Sequence, residues 1–277
     1  MAQKRKLGGD DLDDGLEYAY DSDVSDGALV IESDDEPSAR KSELDKNQAE
    51  RKQKEKEKAK AKSGGKEKQA QKKRQRMENE MAVKTMLAKL EPAVVADYMA
   101  KRARVRYPKL STIELADRYL VPQTALVDLS AWQGSRDLAE IEVYLDKLGL
   151  ANTLKTAPED KGSPYVIVLS LSALRACEVR RALPKEIKSM KSIAKNSVDK
   201  DKQYLEAKNP SIVLTTPFRV AALVKNGSLK LTNLKYVIVE SSHLDSKMRT
   251  VLDDVPETLE VLKMLVDGAE GVKVALF

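Results

Sequence analysis

The segment Tyr165-Val166-Ile167-Val168-Leu169 is a continuous apolar and β-branched run, bounded upstream by Gly162 and Pro164. Two later segments repeat the pattern, Ser211-Ile212-Val213-Leu214 and Tyr236-Val237-Ile238-Val239. Such runs are typical of strands that are buried on both faces, as in parallel sheets. The first run therefore indicates the fold class, and the other two extend it into a sheet.

Helical patterns lie around and between these strands. The sequence predicts helices over the segments Leu110–Leu120, Asp137–Leu148, Ser172–Leu183 and Pro217–Lys225, helical turns around 245–265, and a last strand over Val272–Leu276. Ser111 and Glu114 match a capping box at the first helix. Strands that alternate with helices predict an α/β fold, a single parallel sheet with helices on both faces.

Composition limits the chemistry that this 277-residue chain can carry. It contains one His and one Cys, so neither a zinc site built from Cys and His nor an intrachain disulfide is expected. No run of about 18 apolar residues and no apolar leader segment is present, which predicts a soluble intracellular protein without a membrane partner. We also expect no cofactor, no metal site and no obligate homo-oligomer.

The net charge of +5 hides a segregated pattern. Residues 1–39 hold 12 acidic and 3 basic residues, a net of −9, whereas residues 40–76 hold 16 basic and 6 acidic residues, a net of +10. Both segments have few large apolar side chains, so they cannot offset the entropy cost of ordering. We expect an acidic disordered tail (1–39), a Lys-rich low-complexity segment (40–76), a basic helical arm (77–108), exposed or packed on something else, and a globular domain (109–277).

Serines in the acidic tail lie beside carboxylates, at Ser22, Ser25 and Ser33. Acid-directed phosphorylation and a simple solubilising role are both open there. The basic residues that follow have two interpretations as well, contact with RNA phosphates or a solvated charged helix. The charge balance favours nucleic acid, and the candidate RNA-binding residues are Lys72, Lys73, Arg74, Arg76, Lys101, Arg102, Arg104 and Arg106.

In open α/β sheets ligands bind beyond the carboxyl ends of the strands. The second buried strand is followed by Thr216-Pro217-Phe218-Arg219 and the third by Glu240-Ser241-Ser242-His243. Thr216 and Arg219 are further candidates for RNA contact, since a helix that begins at Pro217 offers its N-terminal amides to phosphate. The alternative is that Thr216 caps the helix and Arg219 is solvated. A hydrolytic triad around His243 is not expected, because neighbouring residues on one turn seldom converge.

These segments resemble the first RecA-like domain of DEAD-box RNA helicases. Thr216-Pro217-Phe218-Arg219 is similar to that family's Thr-Pro-Gly-Arg motif, and Glu240-Ser241-Ser242-His243 stands in place of Asp-Glu-Ala-Asp. The sequence contains no G-x-x-x-x-G-K-[ST] phosphate-binding loop. The helicase-like fold is therefore expected without ATP hydrolysis.

The chain resembles more closely the Cms-type family of early small-subunit (90S) pre-ribosome factors. The resemblance rests on Gly162 to Ala176, on Thr216-Pro217-Phe218-Arg219 and on the segment from Gly227 through Ser242. It implies residence in the nucleolus and nucleus, and a scaffolding role beside pre-ribosomal RNA and other small-subunit assembly factors within a large ribonucleoprotein particle.

Three classes of function remain open at this stage. The first, which we favour, is a non-catalytic component of the small-subunit processome that contacts pre-rRNA and assembly proteins during 18S rRNA maturation. The second is an active ATP-dependent RNA helicase-like enzyme. The third is an adaptor in the nucleus that binds only proteins.

Overall fold

The computed structural model describes residues 69–254 and 257–277. The predictions for the acidic tail, its serines and most of the Lys-rich segment lie outside the described residues. The helices are α1 (residues 69–86), α2 (Pro92–Arg106), α3 (Thr112–Ala116), α4 (Pro122–Ala125), α5 (Ile141–Lys147), α6 (Ala173–Ala182), α7 (Val198–Lys208), α8 (Pro217–Lys225), α9 (Val251–Asp254) and α10 (Glu257–Asp267). The strands are β1 (Val166–Leu169), β2 (Ser189–Ser192), β3 (Ile212–Thr215), β4 (Tyr236–Val239) and β5 (Lys273–Leu276).

The strands form one parallel sheet in the order β2-β3-β1-β4-β5. Beyond β5, Leu126 forms a parallel bridge with Val274, and the Val127 amide donates to the Val274 carbonyl at 2.9 Å. The segment 126–127 therefore continues the sheet past its fifth strand. On the opposite side β2 is the edge strand.

Alternate residues of each strand face opposite sides of the sheet. Ile167 and Leu169 of β1 belong to one apolar cluster, which also holds residues of α2, α8 and α10. Val166 and Val168 belong to a second cluster with residues of α5 and α6. Helices cover both faces of the sheet, so every position of β1 is buried and apolar. The predicted α/β fold is therefore confirmed.

The boundary predicted at residue 109 does not match the packing. Leu87, Val95 and Met99 are at most 5% exposed and lie in the same cluster as strand residues Val237 and Val274. Residues 87–106 are therefore part of the domain core rather than a separate arm. The narrow apolar stripe of these residues packs on the sheet, because the apolar side chains on that face of the sheet would otherwise be exposed to water.

Two elements between Leu183 and Ser211 had no counterpart among the predictions. The edge strand β2 has the sequence Ser-Met-Lys-Ser, in which only alternate residues are buried. The helix α7 begins after Ser197, whose hydroxyl accepts from the Lys200 amide at 3.2 Å. An edge strand is partly solvated, so it lacks the apolar run that revealed the inner strands.

Other predicted elements are shorter than expected. The helix predicted to reach Leu120 ends at Ala116, although its capping box between Ser111 and Glu114 is present as predicted. The segment Asp137–Leu148 is divided into a 3-10 turn, Leu138–Glu140, and α5. The predicted helix Pro217–Lys225 and the predicted strand Tyr236–Val239 have the observed bounds.

Candidate nucleic-acid interface

Polar residues follow β1, β3 and β4, at the carboxyl ends of these three neighbouring parallel strands. Glu240, directly after β4, is 1% exposed, and its Oε1 accepts from Nε of Arg175 at 2.8 Å. Burial raises the pKa of the Glu240 carboxyl, and the nearby Arg175 charge opposes that rise. The Ser170 hydroxyl also lies against this carboxylate and opposes the rise. Arg175, which also binds Glu178 at 3.1 Å, is thus engaged in ion pairs rather than presented to solvent.

His243 follows Glu240 in the chain and has no hydrogen bond to a nucleophile among the described residues. The Ser241 hydroxyl donates to the Phe277 carbonyl at 3.4 Å, and the Ser242 hydroxyl has no partner in the described part of the chain. Burial lowers the pKa of the His243 imidazole, and the Arg175 charge lowers it further. The residues after β4 therefore offer no nucleophile and base in hydrogen-bond contact.

The two candidate residues after β3 have different environments. Arg219 is 7% exposed, and its guanidinium donates to the carbonyl oxygens of Ile193 at 2.9 Å and of Asn196. Its Nε lies 3.9 Å from the buried Asp201 carboxylate. The Arg219 side chain is therefore neither solvated nor placed for the predicted phosphate contact. It holds the loop after β2 against α7 and α8. Sequence reasoning missed this role, because Ile193, Asn196 and Asp201 are distant in sequence.

Thr216, by contrast, stays accessible. It is the N-cap residue of α8 and is half-buried, and its hydroxyl makes no capping bond to the described backbone. Phe218, which stands where the helicase motif has Gly, is 71% exposed next to it. The Thr216 contact with RNA stays a prediction.

Phosphate-binding loops join a strand to a helix, and the segment from Leu126 to α5 is a comparable connection, which runs from the bridge between Leu126 and Val274 through a loop and a 3-10 turn into the helix. Here the loop is occupied by its own side chains. Arg136 is 7% exposed, with its guanidinium carbon 4.0 Å from the ring centre of Trp132 and 5.7 Å from that of Tyr144. It donates to the carbonyl oxygens of Ala88, Trp132 and Gly134 at 3.1–3.3 Å.

Gly134 has a packing role in this loop. A Cβ atom at this position would lie 2.4 Å from the Trp132 indole, so only glycine fits beneath the ring. In phosphate-binding loops glycine allows the backbone to approach the phosphates. Here the space over the glycine is taken by Trp132, and burial lowers the pKa of the neighbouring Arg136 guanidinium. No local motif marks Arg136, because its role depends on contacts with Ala88 and Tyr144, which are distant from it or on another element.

The remaining candidate cations lie on α1 and α2. Lys72, Lys73, Arg74 and Arg76 are exposed on α1, and Lys101, Arg104 and Arg106 are exposed on α2. Arg102 differs, because its guanidinium is 2.9 Å from Glu80 and 2.8 Å from Asp253 and stacks 5.0 Å from the Tyr98 ring centre. Arg102 therefore joins α1, α2 and α9.

Nothing in the described ranges suggests a metal or a membrane segment. No group of three or more His, Cys, Asp or Glu side chains there is placed to hold a metal ion. Similarly, none of the helices within 69–254 and 257–277 is long and apolar enough to cross a membrane.

The fold defines a class of protein, an α/β domain with one parallel sheet covered by helices on both faces. The particular family follows from comparison with known sequences. The model of the family described as "CMS1: U3-containing 90S pre-ribosomal complex subunit" matches residues 37–276, and the chain belongs to this family. The resemblance to the Cms-type factors is confirmed, and the family is one of ribosome biogenesis.

Individual relatives agree with this assignment. Protein CMS1 of Chaetomium thermophilum is 28% identical over 200 residues, which are 70% of this chain and 79% of that protein. Protein CMS1 of Saccharomyces cerevisiae is 22% identical and covers 67% and 65% of the two chains. Protein CMSS1 of Homo sapiens is 29% identical over 45% of this chain and about half (48%) of its own length.

A solved structure is also similar to this chain. It is a DEAD box protein from the hyperthermophile Methanococcus jannaschii, with 21% sequence identity and a TM-score of 0.39. The match covers 52% of this chain and 37% of that protein.

Proposed function

We propose that this chain is a non-catalytic structural component of the small-subunit processome, which contacts pre-ribosomal RNA and assembly proteins in the nucleolus during 18S rRNA maturation. Membership of a family described as a subunit of the 90S pre-ribosomal complex supports the setting. The observation that carries the non-catalytic role is the loop 128–137, which is packed with its own side chains because the Arg136 guanidinium stacks on Trp132 and donates to the Ala88 carbonyl.

The electrostatics of the site support the same proposal. A helicase-type centre uses carboxylates to hold magnesium beside the phosphates. Glu240 is instead buried, and its Oε1 accepts from Nε of Arg175 at 2.8 Å in an ion pair within the chain. This carboxylate is thus already paired with a cation of the chain itself.

RNA contact is proposed for the exposed cations of α1 and α2 together with the Lys-rich segment. Lys72, Lys73, Arg74 and Arg76 lie within a few residues of one another on an exposed helix. Cations in this arrangement neutralise phosphates without reading bases, so they would position the protein rather than select a sequence.

Nucleotide binding is the first test of the proposal. We expect the purified full chain to show no saturable binding of ATP with magnesium and no RNA-stimulated release of phosphate. An active DEAD-box helicase measured in the same assay is the control. Stoichiometric ATP binding, or turnover well above the background, would contradict the non-catalytic role.

RNA crosslinking in cells is the second test. We expect crosslinked peptides from residues 40–106, and a variant with Lys72, Lys73, Arg74 and Arg76 changed to Gln should lose most crosslinks in that region. Recovery of the protein in pre-ribosomal particles without any RNA crosslink would favour an adaptor that binds only proteins.

A further inference from the structure

A groove of about 750 Å³ lies beside the edge strand β2. It is formed by the last turns of α6 and α7 and by residues 183–188, which lead into β2. Five cations line it and no carboxylate does, and Tyr204 is the aromatic residue of the wall. The charged lining consists of Arg180, Arg181, Lys185, Lys188 and Lys208.

The five cations are exposed, and none of them forms an ion pair with a residue in the described part of the chain. Elsewhere in the same protein, Arg102, Arg175 and Arg219 each contact a carboxylate. Uncompensated charges of one sign around a concave surface reinforce one another and attract polyanions. The groove thus differs from an ordinary solvated face, on which charges of both signs alternate.

Tyr204 divides this surface into two parts. On α7 it lies four residues after Lys200 and four before Lys208, so the three side chains share one helix face. A smaller groove of about 280 Å³ shares Tyr204 and Arg180 with the larger one and adds Lys191 and Lys200. Its carboxylate, Asp201, is buried and bonded to Ser192 and Asn196. The Tyr204 ring, 40% exposed, therefore stands between two cationic depressions.

The groove lies away from the residues that follow β1, β3 and β4. Lys188 precedes β2 and Pro210 precedes β3, so the larger groove lies where these strands begin. Thr216 and Glu240 follow the ends of β3 and β4. A ligand in the groove would therefore leave the residues at the carboxyl ends of the strands accessible.

We propose that this β2 groove binds the backbone of single-stranded RNA, with the cations on its phosphates and one base stacked on Tyr204. The inference rests on the proposed function, because it specifies the surface through which the domain contacts RNA. Single-stranded nucleic acid offers regular negative charge and flat bases, which match cations on both sides of an exposed ring. An acidic polypeptide would match the charge but would leave the ring without a partner.

The test compares two charge-matched variants of the full chain. One carries Lys185→Gln, Lys188→Gln and Lys208→Gln in the groove, and the control carries Lys109→Gln, Lys147→Gln and Lys230→Gln, three exposed lysines outside it. Affinity for a fluorescein-labelled 12-nucleotide oligouridylate is measured by anisotropy at several salt concentrations. We expect the groove variant to bind about tenfold or more weakly, with a salt slope shallower by about two, and the control to change much less.

Stacking is tested separately at Tyr204. We expect Tyr204→Leu to weaken binding about fivefold or more, and Tyr204→Phe to bind like the unmodified chain, because phenylalanine keeps the aromatic face. Intrinsic fluorescence of Trp132, the single tryptophan, verifies that every variant is folded.

The outcomes separate this inference from the proposed function. If the unmodified chain binds RNA but the groove variant behaves like the control, the β2 groove is not the site, while the RNA-binding role stands. If the unmodified chain binds no RNA, both proposals fail. If polyglutamate of equal charge competes as well as RNA and Tyr204→Leu has no effect, the groove is a site for acidic proteins and the inference is overturned.

Discussion

Glu240 is a carboxylate enclosed by protein directly after β4, and its Oε1 accepts from Nε of Arg175 at 2.8 Å. Because burial raises the pKa of its carboxyl, the folded protein holds a proton there more tightly than the unfolded chain does. Its contribution to stability is therefore greatest below the ordinary value of 4.5 and declines as the pH rises through the raised pKa.

Glu240→Gln should expose this dependence on pH. Glutamine has nearly the same shape and stays neutral, so we expect the free energy of unfolding of the variant, relative to the unmodified chain, to increase from below pH 4.5 towards neutrality. Urea unfolding at a series of pH values measures the difference. A difference that stays constant over the whole range would show that Glu240 has no raised pKa.

The contribution of Arg136 to stability can be measured with a single substitution. We expect Arg136→Ala to lower the free energy of unfolding by about 2–4 kcal/mol, since it removes hydrogen bonds to three carbonyl groups and the stacking on Trp132. Urea denaturation followed by the fluorescence of the adjacent Trp132 reports the change.

Arg181→Ala is the matched control, because Arg181 is exposed and should change stability by no more than about 0.5 kcal/mol. Equal stability of the Arg136 and Arg181 variants would mean that the loop 128–137 is not held by Arg136, and the main support for the non-catalytic role would be lost.

At the level of the elements, α1, α2 and α9 meet at Asp253. Its carboxylate lies 2.9 Å from Lys84 of α1 and 2.8 Å from Arg102 of α2, and it accepts from the Tyr98 hydroxyl at 2.8 Å. Burial alone would raise the pKa of Asp253, but these partners hold it below its ordinary value of 3.8. The group therefore stabilises the fold above that value, and its contribution is lost as the pH falls through the lowered pKa.

Asp253→Asn should loosen this junction. We expect a loss of about 1–3 kcal/mol at neutral pH, because two cations lose their shared anion, and a smaller loss below pH 3.8. Thermal unfolding at the two pH values measures the effect. Asp97→Asn, at an exposed position of α2, is the control. A loss at Asp253 that matched the control at neutral pH would contradict the structural role of the cluster.

The elements also show which patterns can be predicted from local sequence. The inner strands β1, β3 and β4 were predicted because each is buried on both faces and is therefore apolar at consecutive positions. Ser172 caps α6 and Ser111 caps α3, and these local hydrogen bonds are visible as short motifs. The edge strand β2 was missed, because its burial alternates and, within the described ranges, it pairs with β3 alone.

For the molecule as a whole, the boundary of the domain can be tested by truncation. Leu87, Val95 and Met99 lie in the core formed with the sheet. A chain that begins at residue 109 would leave that apolar face of the sheet in water. We expect residues 69–277 to unfold cooperatively in urea and residues 109–277 to show no cooperative transition. A shared transition midpoint for the two chains would restore the boundary at residue 109.

The sequence by itself determined the α/β class, the segregated charge, the absence of a phosphate-loop motif and the family resemblance, because each depends on local runs or motifs. Only the tertiary structure decided which cations are free. Arg102, Arg175 and Arg219 are engaged with carboxylates far away in the chain, whereas the cations beside β2 are exposed around one groove. The charge of an arginine is evident in the sequence, but its availability depends on which distant side chains the fold brings to it.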